Sequence, residues 1–239
     1  MNEYTAIISR EAERFIPLLE RDFDVLTVAP DRLLQGPVQC HADMIVAIAG
    51  NCAVLPESYV SEYVGFAKHL RERCGLKIIL SDDVRGADYP DDISLNVLTC
   101  ARYAFSLKKY TSRSFTDVLE RLGYTHLNVR QGYAACSTLS CDGFMITADP
   151  SVEKAARSVG LDVLKISEGS IRLDGYGTGF IGGASGVCGN KIYFLGNLML
   201  HPDGEKIREY VSTHGYSVIC LSDDSLSDFG GIKFVKNVN

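Results

Sequence analysis

The amino-acid sequence repeats one pattern five times, and each copy runs from a short amphipathic helix through a hydrophobic β-strand into a polar loop. The five strands are predicted at residues 23–28, 76–80, 125–129, 161–166 and 216–221. Four of them follow a glycine that ends the preceding helix, namely Gly75, Gly123, Gly160 and Gly215. Because a unit this small cannot bury its apolar face alone, five copies in one chain predict a closed ring around a central site.

Hydrophobic residues at helical spacing predict helices near residues 10–21, 58–74, 114–122, 151–159 and 204–214. Pro17 makes the first of these the least regular, because proline kinks a helix or delays its start. Turn dipeptides at residues 50–51, 142–143 and 189–190 lie between apolar strand residues and predict β-hairpins. The unit is therefore strand–strand–helix–strand. The second unit lacks a glycine turn and carries a basic stretch from Arg102 to Arg113.

Both ends of the chain are predicted as strands, at residues 4–8 and 232–235, and their pairing would complete the ring. Alternating helices and strands also fit a doubly wound sheet. That alternative accounts less well for the hairpins, and residues 29–32 after the first unit's strand are not a glycine-rich phosphate loop. We therefore expect one α/β domain over residues 1–239, folded as a five-fold pseudosymmetric α/β propeller.

Composition and charge narrow the function classes. Hydrophobic residues make up 46% of the 239 residues, enough for a core, and the net charge of −6 argues against nucleic-acid binding. No run approaches the roughly 18–20 apolar residues of a membrane helix, and the first residues do not have the pattern of a signal peptide. The eight cysteines include no Cys-x-x-Cys pair, so we expect free thiols, no metal and no cofactor, in a cytoplasmic protein.

The repeat and its hairpins resemble the pentein fold, the five-bladed α/β propeller of the guanidino-group-modifying superfamily. That superfamily includes arginine and agmatine deiminases, dimethylarginine dimethylaminohydrolases and amidinotransferases, together with a non-catalytic ribosome anti-association factor. Residues 41–44, 131–137 and 182–186 are similar to a small group of uncharacterised bacterial pentein-like proteins. The resemblance implies a small guanidino- or amino-acid-like ligand in an axial channel.

Acidic residues open four of the five loops that follow the helix-linked strands: Asp31, Asp83, Glu168 and Asp223. The third loop has Arg130 instead. If these loops face the ring axis, a channel with several carboxylates and one guanidinium favours a cationic or zwitterionic ligand. The alternative is that these acids cap turns or face solvent.

A shared spacing from glycine to cysteine relates residues 36–40 of the first unit to residues 132–136 of the third. Residues 175–179 take the equivalent place in the fourth unit, and Asp174 lies just before them. Equivalent positions in a ring approach one axis, so His41, Asp43, Cys136 and Asp174 are predicted to meet. Guanidine chemistry needs such a set, with Cys136 as the nucleophile, His41 as the acid and base, and the two carboxylates orienting the substrate. Alternatively, Cys136 is simply a small buried residue.

Neighbouring residues in the same segments are further ligand-binding candidates. Ser137 follows Cys136 in the way that His41 follows Cys40, and Cys40, His41 and Asp43 offer a less favoured set of metal ligands. Gly183 and Ser185 lie in a glycine-rich stretch whose backbone N–H groups suit an anion. Close packing of chains is the alternative explanation for those glycines.

The last unit departs from the superfamily pattern. Deiminases of the superfamily place their nucleophilic cysteine near the C-terminus after a glycine pair, often directly after a histidine. Here Gly230 and Gly231 are followed by Lys233 and Phe234. An ordinary deiminase or amidinotransferase is therefore not expected. The sequence predicts either a divergent cysteine-dependent amidine hydrolase or a non-catalytic pentein that serves as a binding or assembly module.

Overall fold

The described part of the chain, residues 2–83 and 85–238 of a computed structural model, contains five three-stranded sheets with one common topology. In every sheet the central strand pairs antiparallel with one neighbour and parallel with the other. The strands are β1 (Tyr4–Ser9), β2 (Asp24–Val28), β3 (Ala47–Ala49), β4 (Cys52–Pro56), β5 (Lys77–Ser81), β6 (Leu98–Cys100), β7 (Tyr103–Ser106), β8 (Thr125–Asn128), β9 (Thr138–Ser140), β10 (Phe144–Thr147), β11 (Asp162–Lys165), β12 (Ser185–Cys188), β13 (Lys191–Phe194), β14 (Ser217–Cys220) and β15 (Lys233–Lys236). The orders are β15-β1-β2, β3-β4-β5, β6-β7-β8, β9-β10-β11 and β12-β13-β14. The predicted strand–strand–helix–strand unit is confirmed.

Most helices connect the two parallel strands of a sheet, whereas the two short helices at residues 42–45 and 134–137 lead from one sheet into the next. The helices are α1 (Ile16–Leu19), α2 (Ala42–Ile45), α3 (Glu57–Glu62), α4 (Val64–Glu72), α5 (Arg113–Arg121), α6 (Ala134–Ser137), α7 (Pro150–Ser158) and α8 (Gly204–Thr213). Three-residue 3₁₀ turns occur at Gly36–Val38, Lys108–Tyr110 and Leu198–Leu200, and a longer 3₁₀ segment, Arg10–Phe15, precedes α1. Pro17 lies in the first turn of α1, so the first connection is irregular as predicted.

Local capping explains where the better-formed helices begin. The hydroxyl of Ser112 accepts a hydrogen bond from the backbone N–H of Phe115 at the start of α5. The carboxylate of Asp149 does the same for Ser151 and Val152 at the start of α7, where Pro150 occupies the first helical position. Both helices bury only their apolar face against a sheet. None of the described helices combines the length and the apolar character that crossing a bilayer requires.

The two ends of the chain belong to the same sheet. β1 pairs antiparallel with β15, in a register that places Ala6 opposite Phe234, and pairs parallel with β2 on its other side. The predicted pairing of the terminal strands is confirmed. Apolar side chains continue this contact into the fifth sheet, because Ile8 and Phe15 lie in one buried cluster with Tyr193 and Ile232.

The hairpin between β6 and β7 differs from its sequence-based expectation. The four glycines that precede the parallel strands have φ between 66° and 81°, the left-handed cap that was predicted. The second unit, which lacks a glycine turn, nevertheless forms a hairpin, because Ala101 takes φ = 50° at its turn. The basic stretch that follows contains β7, a 3₁₀ turn and the start of α5, so it is a regular part of the unit.

In each sheet, the strand that pairs antiparallel with the central strand is here called the first strand. The five first strands line a common cavity of about 290 Å³. Its lining includes one or more residues from β3, β6, β9, β12 and β15, among them Ile48, Thr99, Leu139, Ser185 and Lys233. The segments that lead into these five strands include α2, residues 93–96, α6, residues 182–184 and residues 228–231. These entry segments hold the polar groups described next.

Candidate functional site

A cluster of five buried polar side chains lies where four of these entry segments meet. Its members are less than 5% exposed: His41 and Asp43 at the start of α2, Asn96 before β6, Cys136 in α6 and Asp228 before β15. Hydrogen bonds between segments fix the arrangement. The backbone N–H of Asp43 donates to the carbonyl of Gly230 over 3.2 Å, and the N–H of Gly183 donates to the carbonyl of Cys136 over 2.9 Å.

Cys136 is a hydrogen-bonded thiol in this cluster. Its Sγ donates to Oδ2 of Asp43 over 2.6 Å and accepts from Nδ2 of Asn96 over 3.4 Å. Oδ1 of Asn96 in turn accepts from the backbone N–H of Ala135 over 2.8 Å, which secures the beginning of α6. Burial raises the pKa of the thiol well above its ordinary value, and the carboxyl groups of Asp43 and Asp228 raise it further. At neutral pH the group is a thiol and not a thiolate.

The two carboxyl groups of the cluster have unusual environments. Burial raises the pKa of Asp43 to about 6, although Lys233 and the thiol of Cys136 act in the opposite direction. Burial and then the charge of Asp43 raise the pKa of Asp228 to about 7. Asp228 is held by the backbone, since its Oδ1 accepts from the N–H of Gly230 and its Oδ2 from the N–H of Phe180, both over 2.9 Å.

His41 is a neutral imidazole between the two carboxyl groups. Its Nδ1 lies 3.9 Å from Oδ1 of Asp228 and 4.0 Å from Oδ1 of Asp43. Burial lowers its pKa to about 3. Within the described residues, His41 Nδ1 and Asp43 Oδ1 have no hydrogen-bond partner. The cluster therefore contains two carboxyl groups, a neutral imidazole, a thiol and two buried polar atoms that have no hydrogen-bond partner among the described residues.

Asp228 is one of the residues that line an open cavity of about 560 Å³. Its lining carries both signs of charge, with Arg14 and Arg172 on one hand and Glu11, Glu13 and Asp174 on the other. Asp174 does not join the buried cluster, because its side chain is 96% exposed and faces Arg172, whose Nη2 lies 3.8 Å from its Oδ1. The carboxylate that accompanies His41, Asp43 and Cys136 is Asp228.

The remaining predicted ligand residues are dispersed. Asp31 is buried in an ion pair, with its Oδ2 2.6 Å from Nη1 of Arg85. Asp83 accepts hydrogen bonds from the hydroxyl of Ser81 and from the backbone of Arg113, and Arg130 and Asp223 are exposed. Glu168 and Ser137 line a separate cavity of about 250 Å³ that also contains His201. Ser185 donates its hydroxyl to the carbonyl of Ile181 over 2.7 Å.

Gly183 is close to the cluster for a steric reason. A Cβ at this position would overlap the carboxylate of Asp228. Its carbonyl accepts hydrogen bonds from the backbone of Phe229 and Gly231, over 3.0 and 2.8 Å. The close-packing explanation therefore describes the contacts of Gly183 in this structure.

Two residues of the cluster, Asn96 and Asp228, are absent from the sequence-based set. Asp228 precedes the glycine pair at 230–231, in a segment whose Ser, Asp and Gly residues are typical of a turn. The signal that points to it is positional, because the residues just before the first strand of each unit are the ones that converge. Asn96 lies two residues before β6, in a segment with no recognisable motif.

Comparison with known proteins identifies the family. Residues 7–233 match the sequence profile of a family of unknown function, DUF6873. The chain belongs to this family. A search of curated proteins found no match.

Solved structures show which fold the family member has. A mutant dimethylarginine dimethylaminohydrolase from Pseudomonas aeruginosa, complexed with citrulline, is 13% identical, covers 93% of this chain and 92% of its own, and gives a TM-score of 0.57. SxtG, an amidinotransferase from Microseira wollei, is 13% identical, with coverages of 92% and 90% and a TM-score of 0.53. ArgZ, a cyanobacterial arginine dihydrolase, is 10% identical, with coverages of 94% and 37% and a TM-score of 0.56. These proteins are penteins, so the predicted pentein resemblance is confirmed at the level of the fold.

Proposed function

We propose that residues 1–239 form one closed five-bladed propeller that binds a small guanidino- or amino-acid-like compound beside its axis. The observation that carries this proposal is that Asp228 belongs both to the lining of a cavity and to the buried cluster. It lines the 560 Å³ cavity, and its Oδ1 is 3.9 Å from Nδ1 of His41 in the buried cluster. The side chain of Asp228 is only 1% exposed, so a ligand in the cavity would reach this carboxyl group, and the cluster behind it, after a small movement of the lining side chains.

The charges around the cavity suit a zwitterion. A guanidinium or ammonium group matches the carboxyl groups of Asp228 and Asp174 in paired hydrogen bonds. A carboxylate at the other end of the ligand matches Arg14 or Arg172. Arg14 is already oriented by Oδ2 of Asp224 over 2.9 Å and by the hydroxyl of Ser227 over 3.3 Å. One structural relative is complexed with citrulline and another is an arginine dihydrolase, which is consistent with a ligand of this class.

The same site has the groups of a cysteine-dependent amidine hydrolase. A bound cation beside Asp43 and Asp228 would offset their charges and lower the pKa of the Cys136 thiol. The thiol proton passes to neutral His41 while sulfur bonds to the guanidinium carbon. The carbon–nitrogen bond then breaks, and the amine leaves with that proton. Water then adds to the thiouronium carbon, with one of its protons passing through His41 to solvent and the other to the leaving sulfur, which releases a ureido product and the thiol.

A non-catalytic binding module is the second candidate. It is favoured by the state of Cys136, which is a buried, protonated thiol, and by Lys233 and Phe234 at the place where superfamily deiminases have their nucleophile. The two candidates share the ligand and differ in whether a covalent step follows.

Calorimetric titration of the full chain with L-arginine, L-citrulline and agmatine tests ligand binding. We expect binding of at least one compound, and a loss of about tenfold or more on Asp228→Asn or Asp174→Asn, since each removes a charge–charge contact. Asp223→Asn is the matched control, because Asp223 is exposed and does not line the cavity. Binding by none of the three compounds, or equal binding by all variants, contradicts the proposal.

Iodoacetamide labelling followed by mass spectrometry separates the two candidates. In the catalytic case, a bound guanidino compound raises the alkylation rate of Cys136 relative to the exposed Cys220, and Cys136→Ser abolishes release of ammonia or amine while ligand binding persists. In the non-catalytic case, the compound binds with no turnover and Cys136 stays unlabelled.

A further inference from the structure

Three side chains of different chemical types converge in the cluster as metal ligands would. His41, Cys136 and Asp228 each offer a ligand atom, and these three atoms lie within 4.8 Å of one another. Zinc bound at 2.0–2.3 Å in tetrahedral geometry separates its ligand atoms by about 3.3–3.8 Å. Small side-chain rotations would close the difference.

Unpartnered atoms give an independent reason to expect an occupant. His41 Nδ1 and Asp43 Oδ1 have no hydrogen-bond partner among the described residues, and their side chains are 2% and 5% exposed. A buried polar atom without a partner destabilises the folded state, because it has lost its hydrogen bonds to water and gained none. Two such atoms 4.0 Å apart, beside a thiol and a second carboxyl group, define a small polar gap that a cation fills well.

The surrounding hydrogen bonds have the character of a second coordination shell. Asp228 is oriented by the N–H groups of Gly230 and Phe180, and the sulfur of Cys136 by Nδ2 of Asn96. Such outer contacts hold ligand groups in place and tune their basicity. A nitrogen, sulfur and oxygen set selects zinc or a similar transition metal over magnesium or calcium.

We propose that His41, Cys136 and Asp228 bind one zinc ion. The thiol releases its proton on binding, and sulfur exchanges its hydrogen bond to Asp43 for a bond to the metal. Three protein ligands leave one coordination position for water, and Asp43 is free to accept a hydrogen bond from it. The inference uses residues of the proposed ligand site but does not depend on that ligand. Because both proposals use Asp228 and Cys136, zinc and a guanidino compound cannot occupy the site at the same time.

The test uses the full chain, stripped with a chelator and then titrated with zinc against a chromophoric competitor. We expect one zinc ion per chain. Cobalt should give the thiolate-to-metal absorption in the near ultraviolet and the strong visible bands of a four-coordinate site. His41→Gln and Cys136→Ser should each weaken zinc binding at least tenfold, and Cys136→Ser should abolish the thiolate band.

Matched controls distinguish this site from adventitious binding. Cys220→Ser removes an exposed thiol and His214→Gln an exposed imidazole, and both should leave zinc affinity unchanged. Asp174→Asn should weaken the organic ligand and not zinc, so the two proposals fail separately. No stoichiometric zinc in the wild type, or equal affinity in the wild type, His41→Gln and Cys136→Ser, overturns the inference. A circular dichroism spectrum of each variant confirms that it is folded.

Discussion

The Sγ atom of Cys136 donates a hydrogen bond to Oδ2 of Asp43 over 2.6 Å, and 93 residues separate the two in sequence. The bond joins α6 to α2 and thereby ties the entry to β9 to the entry to β3. Both side chains are buried, so no solvent replaces the interaction when it is lost. This contact contributes to the fold and also fixes the position of the thiol in the buried cluster.

Replacement of Cys136 separates these two roles. Serine donates the same hydrogen bond, so Cys136→Ser should lose less than about 1 kcal/mol in free energy of unfolding, whereas Cys136→Ala leaves the Asp43 carboxyl group without its donor and should lose about 1–3 kcal/mol. Urea unfolding at pH 7 measures the difference. Equal losses for the two variants would show that packing of the sulfur dominates over the hydrogen bond.

Gly183→Ala should disrupt the cluster although no side chain is removed. The new Cβ would overlap the carboxylate of Asp228 and force it away from the N–H groups of Gly230 and Phe180. We expect a loss of about 1–3 kcal/mol in stability, as for overpacking elsewhere, together with loss of zinc and ligand binding. Gly177→Ala is the control, because nothing lies within 4 Å of a Cβ there. Unchanged zinc and ligand binding by Gly183→Ala would place the site elsewhere.

Removal of one partner of the ion pair between Asp31 and Arg85 should greatly lower the free energy of unfolding. The two side chains are 5% and 2% exposed. Asp31→Ala leaves a buried, unpaired guanidinium and should cost about 3–5 kcal/mol. The exposed pair of Lys68 and Glu72 is the comparison, where Glu72→Ala should cost no more than about 1 kcal/mol. Thermal and urea unfolding of both variants measure the two losses in stability.

Ala101 offers a stabilising substitution. Its φ of 50° is costly for a residue with a side chain, so Ala101→Gly should raise the free energy of unfolding by up to about 1 kcal/mol. The equivalent turn between β9 and β10 gives the reverse experiment. Gly143 has φ = 85° with open space around it, and Gly143→Ala should lower stability by about 1 kcal/mol. Changes of the same sign in both variants would contradict this explanation.

His126 should make stability depend on pH. Burial, and to a lesser extent the charge of Lys108, lowers its pKa to about 4 in the folded chain from an ordinary value of 6.5. Between these values the unfolded chain binds the proton and the folded chain does not, so stability is lost as pH falls from 6.5 towards 4. His126→Gln should make this dependence shallower in urea unfolding at pH 4.5, 5.5 and 7. An unchanged slope would assign it to other groups such as His41.

The five-unit architecture could be predicted because the units share the same local sequence features. Apolar spacing located the five crossover connections, and the glycines before the parallel strands have the left-handed conformation that was inferred. The hairpin at Ala101 could not be predicted, because its turn residue has no preference for positive φ. Packing of β6 and β7 in their sheet stabilises a conformation that the local sequence disfavours.

The site was only partly predictable because chain position indicates convergence more reliably than residue type does. His41, Asp43 and Cys136 precede the first strands of their sheets and come together in the structure. Asp174 was assigned by matching the glycine-rich residues 175–179 to residues 36–40 and 132–136, and not by its distance from a strand. It lies 11 residues before β12 and faces solvent. Asp228 resembled an ordinary turn aspartate because the backbone groups that bind it come from Gly230 and the distant Phe180.

The pairing of β1 with β15 gives the protein a constraint during synthesis. Tyr4 is made long before its partner, Lys236. The sheets β3-β4-β5, β6-β7-β8, β9-β10-β11 and β12-β13-β14 can each form as soon as their own three strands have left the ribosome, whereas one edge of β1 stays unpaired until β15 has been made. A nascent chain of this topology therefore exposes an unpaired strand edge while the other four sheets are synthesised, and such an edge can pair with other chains.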